Sequence, residues 1–320
     1  MEYFHPQPDA ALLDEETYIA SLEAVRERLQ PCRMEEDFTS FDGVKLHWQG
    51  YLTENARAAV VILHGFTEFP EKYLELTWYF VNRGYHVFLL TLRGHDSGEV
   101  IHVERFEDYV RDLHCMIPCV RNYVKELPLY LYAHSMGGAV GARYLQEYPD
   151  AFQKAVLTAP MFCPRASDVP YPVALLGSRA LLLRGGRKQS CLFRGGYNPD
   201  VRVEQSNAAS EGRFRWNLKC RAENAGYRSA GATNRWVYES LALRRRVLSR
   251  RNCRKIRVPV LVFSAGRDTQ VRTDVQRIFV SRVPTARLEC YPQEKHELFS
   301  TKNEVLKDYL QKIIAFFEEA

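Results

Sequence analysis

Short continuous apolar runs alternate along this chain with stretches whose apolar residues recur at helical spacing. The runs lie at Ala58–Leu63 (AAVVIL), 85–92 (YHVFLLTL), 129–133, Lys154–Thr158 (KAVLT), 258–265 (VPVLVFSA) and Ala286–Tyr291. Apolar runs this short, rich in β-branched residues, predict strands buried on both faces. Helical spacing between them predicts helices over 73–82, 104–126, 136–147, near 273–281 and near 302–318. In the second of these, Phe106, Tyr109, Val110 and Leu113 fall on one side, and Pro118 is expected to kink or divide it. Before this series, residues 15–30 predict a helix ended by Pro31, and two alternating runs around Asp42-Gly43 predict a hairpin over 38–52. Strands alternating with helices imply crossover connections and a mostly parallel sheet, an α/β fold.

The rhythm breaks at Pro160. From there to about Arg235 the chain is rich in Pro, Gly and Arg, with short helical fragments and no clear strand. The expected organisation is a core formed by 1–160 and 236–320, with a mainly helical lid inserted over 161–235. The chain's 320 residues are enough for one large core carrying an insertion. Apolar residues make up 46% and charged residues 26%, an ordinary globular balance, and a net charge of +5 does not by itself imply nucleic acid. The eight cysteines form no repeating framework. Cys115 and Cys119 lie one helical turn apart without the partners a zinc site needs, so buried thiols in a reducing compartment are expected. The acidic start lacks the basic-then-apolar pattern of a secretory signal, and no run approaches the ~18 apolar residues of a spanning helix. A cytoplasmic protein, at most peripheral to membranes, is expected.

The chemistry concentrates at 129–138, LYLYAHSMGG. A strand run stops at Ala133-His134-Ser135-Met136-Gly137 and passes into a helical pattern. This is the form of a nucleophile elbow, in which a sharp strand-to-helix turn lifts one serine hydroxyl above a sheet. Gly137 supplies one small position; Ala133 occupies the other, at some expected cost in strain. A serine hydroxyl needs a base, and the base needs an acid to fix its tautomer. Asp268 follows the strand run at 258–265 and His296 follows the next, the order and placement required on such a sheet. Asp274, one turn into a predicted helix, is the weaker candidate acid. For the oxyanion hole, backbone N–H groups of Met136 and Phe66 are the candidates. Phe66 follows His64-Gly65 at the end of AAVVIL; Gly65 permits close backbone approach, and His64 orients the loop. His134 neighbours the nucleophile, but strand alternation points its side chain elsewhere.

HGFTEFPEKY at 64–73, RGHDSG at 93–98, HVERFEDYVRDL at 102–113, AHSMGG at 133–138, GRDTQV at 266–271 and KHELF at 295–299 span nearly the whole core. Through them the chain resembles serine hydrolases of the α/β-hydrolase superfamily. The resemblance is to the monoacylglycerol lipase and lysophospholipase type, also called the serine aminopeptidase-like family. The segment 217–241 is similar to the cap-to-core passage of bacterial lysophospholipase-type members. The chain departs from the family at Ala133, at Thr91, around Asp96, and at Phe69, where a histidine is common. The resemblance implies an α/β-hydrolase fold with an inserted helical lid. It also implies a serine carboxylic ester hydrolase of lysophospholipids or monoacylglycerols, acting through an acyl-serine intermediate with Ser135, His296 and Asp268.

The alternatives keep the triad with a short-chain ester, a thioester or an N-terminal peptide bond, or keep the fold as a low-turnover ligand-binding protein. A peptidase would need an acidic anchor for the free amine, such as Glu68 or a lid carboxylate. No cofactor or metal is implied. The apolar stretch 171–183, followed by Arg184, Arg187, Lys188 and Arg194, would suit an acyl chain with a charged head group, or an anionic bilayer. It would equally suit a lid packed on its core with solvated cations. The basic run 244–257 lacks interleaved aromatics, so a solvated helix face is expected there rather than a nucleic-acid site. Oligomeric state is left open.

Overall fold

The computed structural model describes residues 2–165, 169–191 and 197–319. The chain opens with α1 (Tyr18–Leu29), then the antiparallel pair β1 (Arg33–Thr39) and β2 (Lys45–Tyr51). Next come β3 (Ala58–Leu63), α2 (Leu74–Asn82), β4 (Tyr85–Leu90), α3 (Glu107–Val124), β5 (Leu129–His134), α4 (Ser135–Glu147) and β6 (Lys154–Thr158). Between β6 and the next strand lie α5 (Tyr171–Leu183), α6 (Glu211–Glu223), α7 (Asn234–Val247) and the short α8 (Arg250–Cys253). The sheet resumes with β7 (Val260–Ala265), α9 (Thr273–Val280) and β8 (Ala286–Tyr291), and α10 (Asn303–Glu318) closes the chain.

The eight strands form one sheet in the order β1-β2-β4-β3-β5-β6-β7-β8, parallel from β4 to β8. Each apolar run divides its side chains between two cores. In β3, Ala59, Val61 and Leu63 join the layer of α3 and α4, while Ala58, Val60 and Ile62 join that of α1, α2 and α10. Burial of both faces is why these strands read as unbroken apolar stretches rather than alternating ones. One element differs from expectation. β1 begins at Arg33, because charged residues alternate there with Met34 and Phe38, which reach the core. Pro118 does not divide α3: it sits on the exposed face, where water can take the carbonyl bond it forgoes, while Met116, Val120 and Val124 stay packed.

Candidate active site

The elbow is the junction between β5 and α4. Ser135, with φ of +51°, occupies the left-handed region that a non-glycine residue rarely adopts, a strain of about 1–3 kcal/mol held by its surroundings. The Ser135 carbonyl accepts from Met161 N–H at 2.8 Å. A Cβ on Gly137 would stand 2.4 Å from the Leu63 carbonyl oxygen and 2.6 Å from that of His64, so only glycine lets α4 start against the end of β3. Ala133, in contrast, lies in regular β5 register between Leu63 and Leu157. The strain expected at Ala133 is found at Ser135 instead, because the turn begins after the strand ends.

Asp268 stands in the turn after β7, and His296 in the loop after β8. A Cβ on Gly266 would lie 2.2 Å from the Pro292 carbonyl oxygen, so the two loops touch backbone to backbone at that glycine. There His296 Nδ1 is 2.6 Å from Asp268 Oδ2, and His296 Nε2 is 2.8 Å from Ser135 Oγ. The other Asp268 oxygen accepts N–H bonds from Gln270 and Val271 at 2.8 and 3.0 Å. Burial would raise the Asp268 pKa, but His296 and these donors hold it below the usual carboxylate value. With Asp268 ionised, the Nδ1 proton of His296 stays on Nδ1, and Nε2 faces the serine as an acceptor. Asp274 pairs with Arg272 at 2.9 Å in the first turn of α9.

The oxyanion candidates lie on adjoining backbone. The first N–H groups of a helix have no partner inside it, and Met136 is the second residue of α4. Phe66 packs on Trp236, ring centroids 4.2 Å apart. His64 orients its loop by accepting the Leu92 N–H at Nε2 (3.0 Å), which leaves Nδ1–H to donate to the Gly65 carbonyl at 2.8 Å. Burial lowers the His64 pKa, consistent with that neutral tautomer.

Beneath this loop is a charge cluster the sequence did not reveal. Glu68 Oε2 accepts from Gly65 N–H at 2.5 Å and from the Tyr73 hydroxyl, while Oε1 meets Lys72 Nζ at 2.6 Å. Lys72 also holds Glu297, the neighbour of His296, at 2.7 Å. Burial opposes ionisation of Glu68, but the Lys72 ammonium and its hydrogen bonds hold its carboxyl far below the ordinary value. Burial also opposes the Lys72 charge, and Glu297 and Glu68 outweigh it. His134 lines the same cavity as Ser135, its ring 4.8 Å from that of His296 and 5.0 Å from Phe299. Burial pulls the His134 pKa down to about 3, so the ring is neutral. Alternation did not reveal this contact. A cue in the sequence was the spacing Glu68-x-x-x-Lys72, which pairs charges across one turn.

A cavity of about 310 Å³ opens onto Ser135 and His296. Its walls include Phe66, Met161, Phe214, Leu218 and Arg221, the last three from α6. Neither α5 nor Arg184, Arg187 or Lys188 lines it, and Arg194 lies outside the described residues. Among the described residues, no cluster of three or more His, Cys, Asp or Glu is arranged to hold a metal.

The family profile described as serine aminopeptidase, S33, matches residues 54–303. A probable lysophospholipase L2 of Haemophilus influenzae is 26% identical over 266 residues, 81% of this chain and 83% of that one. A monoacylglycerol lipase of Mycolicibacterium smegmatis is 24% identical over 294 residues, 88% of this chain and 98% of that one. Among solved structures, a thermostable carboxyl esterase from Bacillus coagulans superposes with a TM-score of 0.71 at 17% identity, covering 89% of this chain and 98% of that one.

Proposed function

The chain belongs to the serine aminopeptidase S33 family of α/β-hydrolases, and on that premise we propose that Ser135, His296 and Asp268 hydrolyse carboxylic esters of lysophospholipids or monoacylglycerols. The observation that carries the reading is the chain of contacts from Asp268 through His296 to Ser135 Oγ, 2.6 and 2.8 Å long. His296 Nε2 takes the hydroxyl proton as Ser135 Oγ attacks the ester carbonyl. The oxyanion forms against the Phe66 and Met136 N–H groups, and His296 returns the proton to the leaving alcohol. Water, deprotonated by His296, then attacks the acyl-serine. The new bond releases the fatty acid and the proton goes back to Ser135. Ser135→Ala is expected to lower kcat at least a thousandfold with little change in unfolding midpoint. Full esterase activity in that purified variant would sink the reading.

One observation weighs against a peptidase. Glu68, the acidic anchor such a reaction would recruit, already has Gly65 N–H, Tyr73 and Lys72 on its two oxygens. A low-turnover binding protein would have no need of the strained serine.

The segment 161–235 is read as a cap over the core. Its α5 supports transient contact with an anionic membrane surface: Leu176 is 69% and Leu183 80% exposed, and Arg184, Arg187 and Lys188 follow at once. Eight cysteines, none paired, support a reducing, cytoplasmic setting.

A further inference from the structure

Arg221 is a buried cation without a carboxylate. It is 9% exposed, lines the cavity that opens on Ser135, and makes no ion pair within 4.0 Å among the described residues. Its contacts are neutral. Nε donates to Asn217 Oδ1 at 3.2 Å and Nη2 to the Thr67 carbonyl at 2.6 Å, so among the described residues two of five guanidinium donors are engaged. The guanidinium carbon lies 5.5 Å from the Phe69 ring centroid and 5.6 Å from that of Tyr197. Phe69 in turn stacks on Tyr227 at 4.3 Å. Phe69, the residue that departs from the family's common histidine, is thus part of a rigid aromatic seat for this charge.

Burial lowers the Arg221 pKa, and the nearest acids, Glu68 and Glu297, do not fully offset it. Those two acids meet Lys72 directly, whereas no carboxylate among the described residues lies within 4.0 Å of the Arg221 guanidinium. A buried charge without its counter-ion is costly, and a planar guanidinium fork fits a phosphate with two parallel N–H bonds. The fork is also placed for the purpose. It holds the carbonyl of Thr67, which directly follows the oxyanion candidate Phe66, and it lines the same cavity as Ser135.

We propose that Arg221 is the phosphate-binding residue of this site: its guanidinium receives the phosphodiester of a lysophospholipid whose acyl ester lies at Ser135. This rests on the hydrolase reading above and narrows it, because the glycerol of a monoacylglycerol would leave the Arg221 charge unpaired.

The test measures kcat/KM for a lysophosphatidylcholine and a monoacylglycerol of the same acyl chain, in the wild type, Arg221→Gln and Arg221→Lys. The expected result is a ten- to hundredfold fall in the lysophospholipid-to-monoacylglycerol ratio in Arg221→Gln, partly recovered in Arg221→Lys. Glycerophosphocholine should compete with nitrophenyl butyrate in the wild type and weakly in Arg221→Gln. Equal losses on both lipids would mean that Arg221 only braces the Thr67 loop, and would overturn the proposal. So would an unchanged ratio, or a wild type that turns over only the monoacylglycerol. Fluorophosphonate labelling of Ser135 in each protein separates the two readings. Labelling without a shifted ratio removes the phosphate site alone, whereas its absence from the wild type removes both.

Discussion

Two helices between β6 and β7 meet opposite fates. α6 is fixed to the core: Arg213 makes a two-pronged bond to Glu75 at 2.7 Å on each prong and a third to the Thr301 carbonyl at 2.9 Å. Tyr18 and Tyr79 complete the Glu75 carboxylate, and Trp216 Nε1 donates to the Glu71 carbonyl at 3.0 Å. In α5 only Ser178 is buried, although its sequence is far more apolar. Hydrophobicity therefore does not say which of these helices belongs to the core. Satisfied buried charge does, and the helix held in that way is the one that contributes walls to the cavity.

That contrast can be broken first at Arg213. Arg213→Met leaves Glu75 and two tyrosine hydroxyls without their cation, and should cost about 3–5 kcal/mol in urea unfolding. A loss under 1 kcal/mol would mean that α6 is held by its apolar contacts alone.

Acid should sharpen it next. His134 and His95 are buried with pKa values near 3, against an ordinary 6.5. The unfolded chain therefore binds protons that the folded one refuses, so stability rises with pH through this window. It should fall from about pH 6.5 towards 3, by at most about 1.4 kcal/mol per pH unit for each histidine. His134→Gln should flatten the urea midpoint against pH between 7 and 5; an unchanged slope would place the titration elsewhere.

The smallest effect belongs to α5. Leu176→Ser with Leu183→Ser should move stability by less than about 0.5 kcal/mol, since both side chains already face water. The same pair should weaken sedimentation with anionic vesicles severalfold. Equal vesicle binding by the double variant would detach α5 from the membrane.

Much of the core was legible because its cause is local. A strand buried on both faces must be apolar throughout, so AAVVIL and the run before Asp268 could be read directly, and the chain order of Ser135, Asp268 and His296 followed from strand ends. Beyond the Glu68–Lys72 spacing, the place of Glu297 in that cluster and the burial of Arg221 were illegible for the converse reason. A charged residue on a helix or loop normally signals solvent, and only a partner from a distant segment permits its burial. Asn217 announces nothing about Arg221 until α6 is laid against the Thr67 loop. His134 taught a finer lesson: alternation along the strand did not reveal its contact with His296.

One ammonium group ties the two halves of the proposed reaction apparatus together. Lys72 reaches the Gly65–Phe66 loop through Glu68 and the His296 loop through Glu297, both away from bulk salt. Neither loop can loosen without stripping a buried charge of one partner. Heat inactivation should therefore coincide with global melting, with no interval in which a folded but idle enzyme accumulates, and moderate ionic strength should leave that coincidence intact.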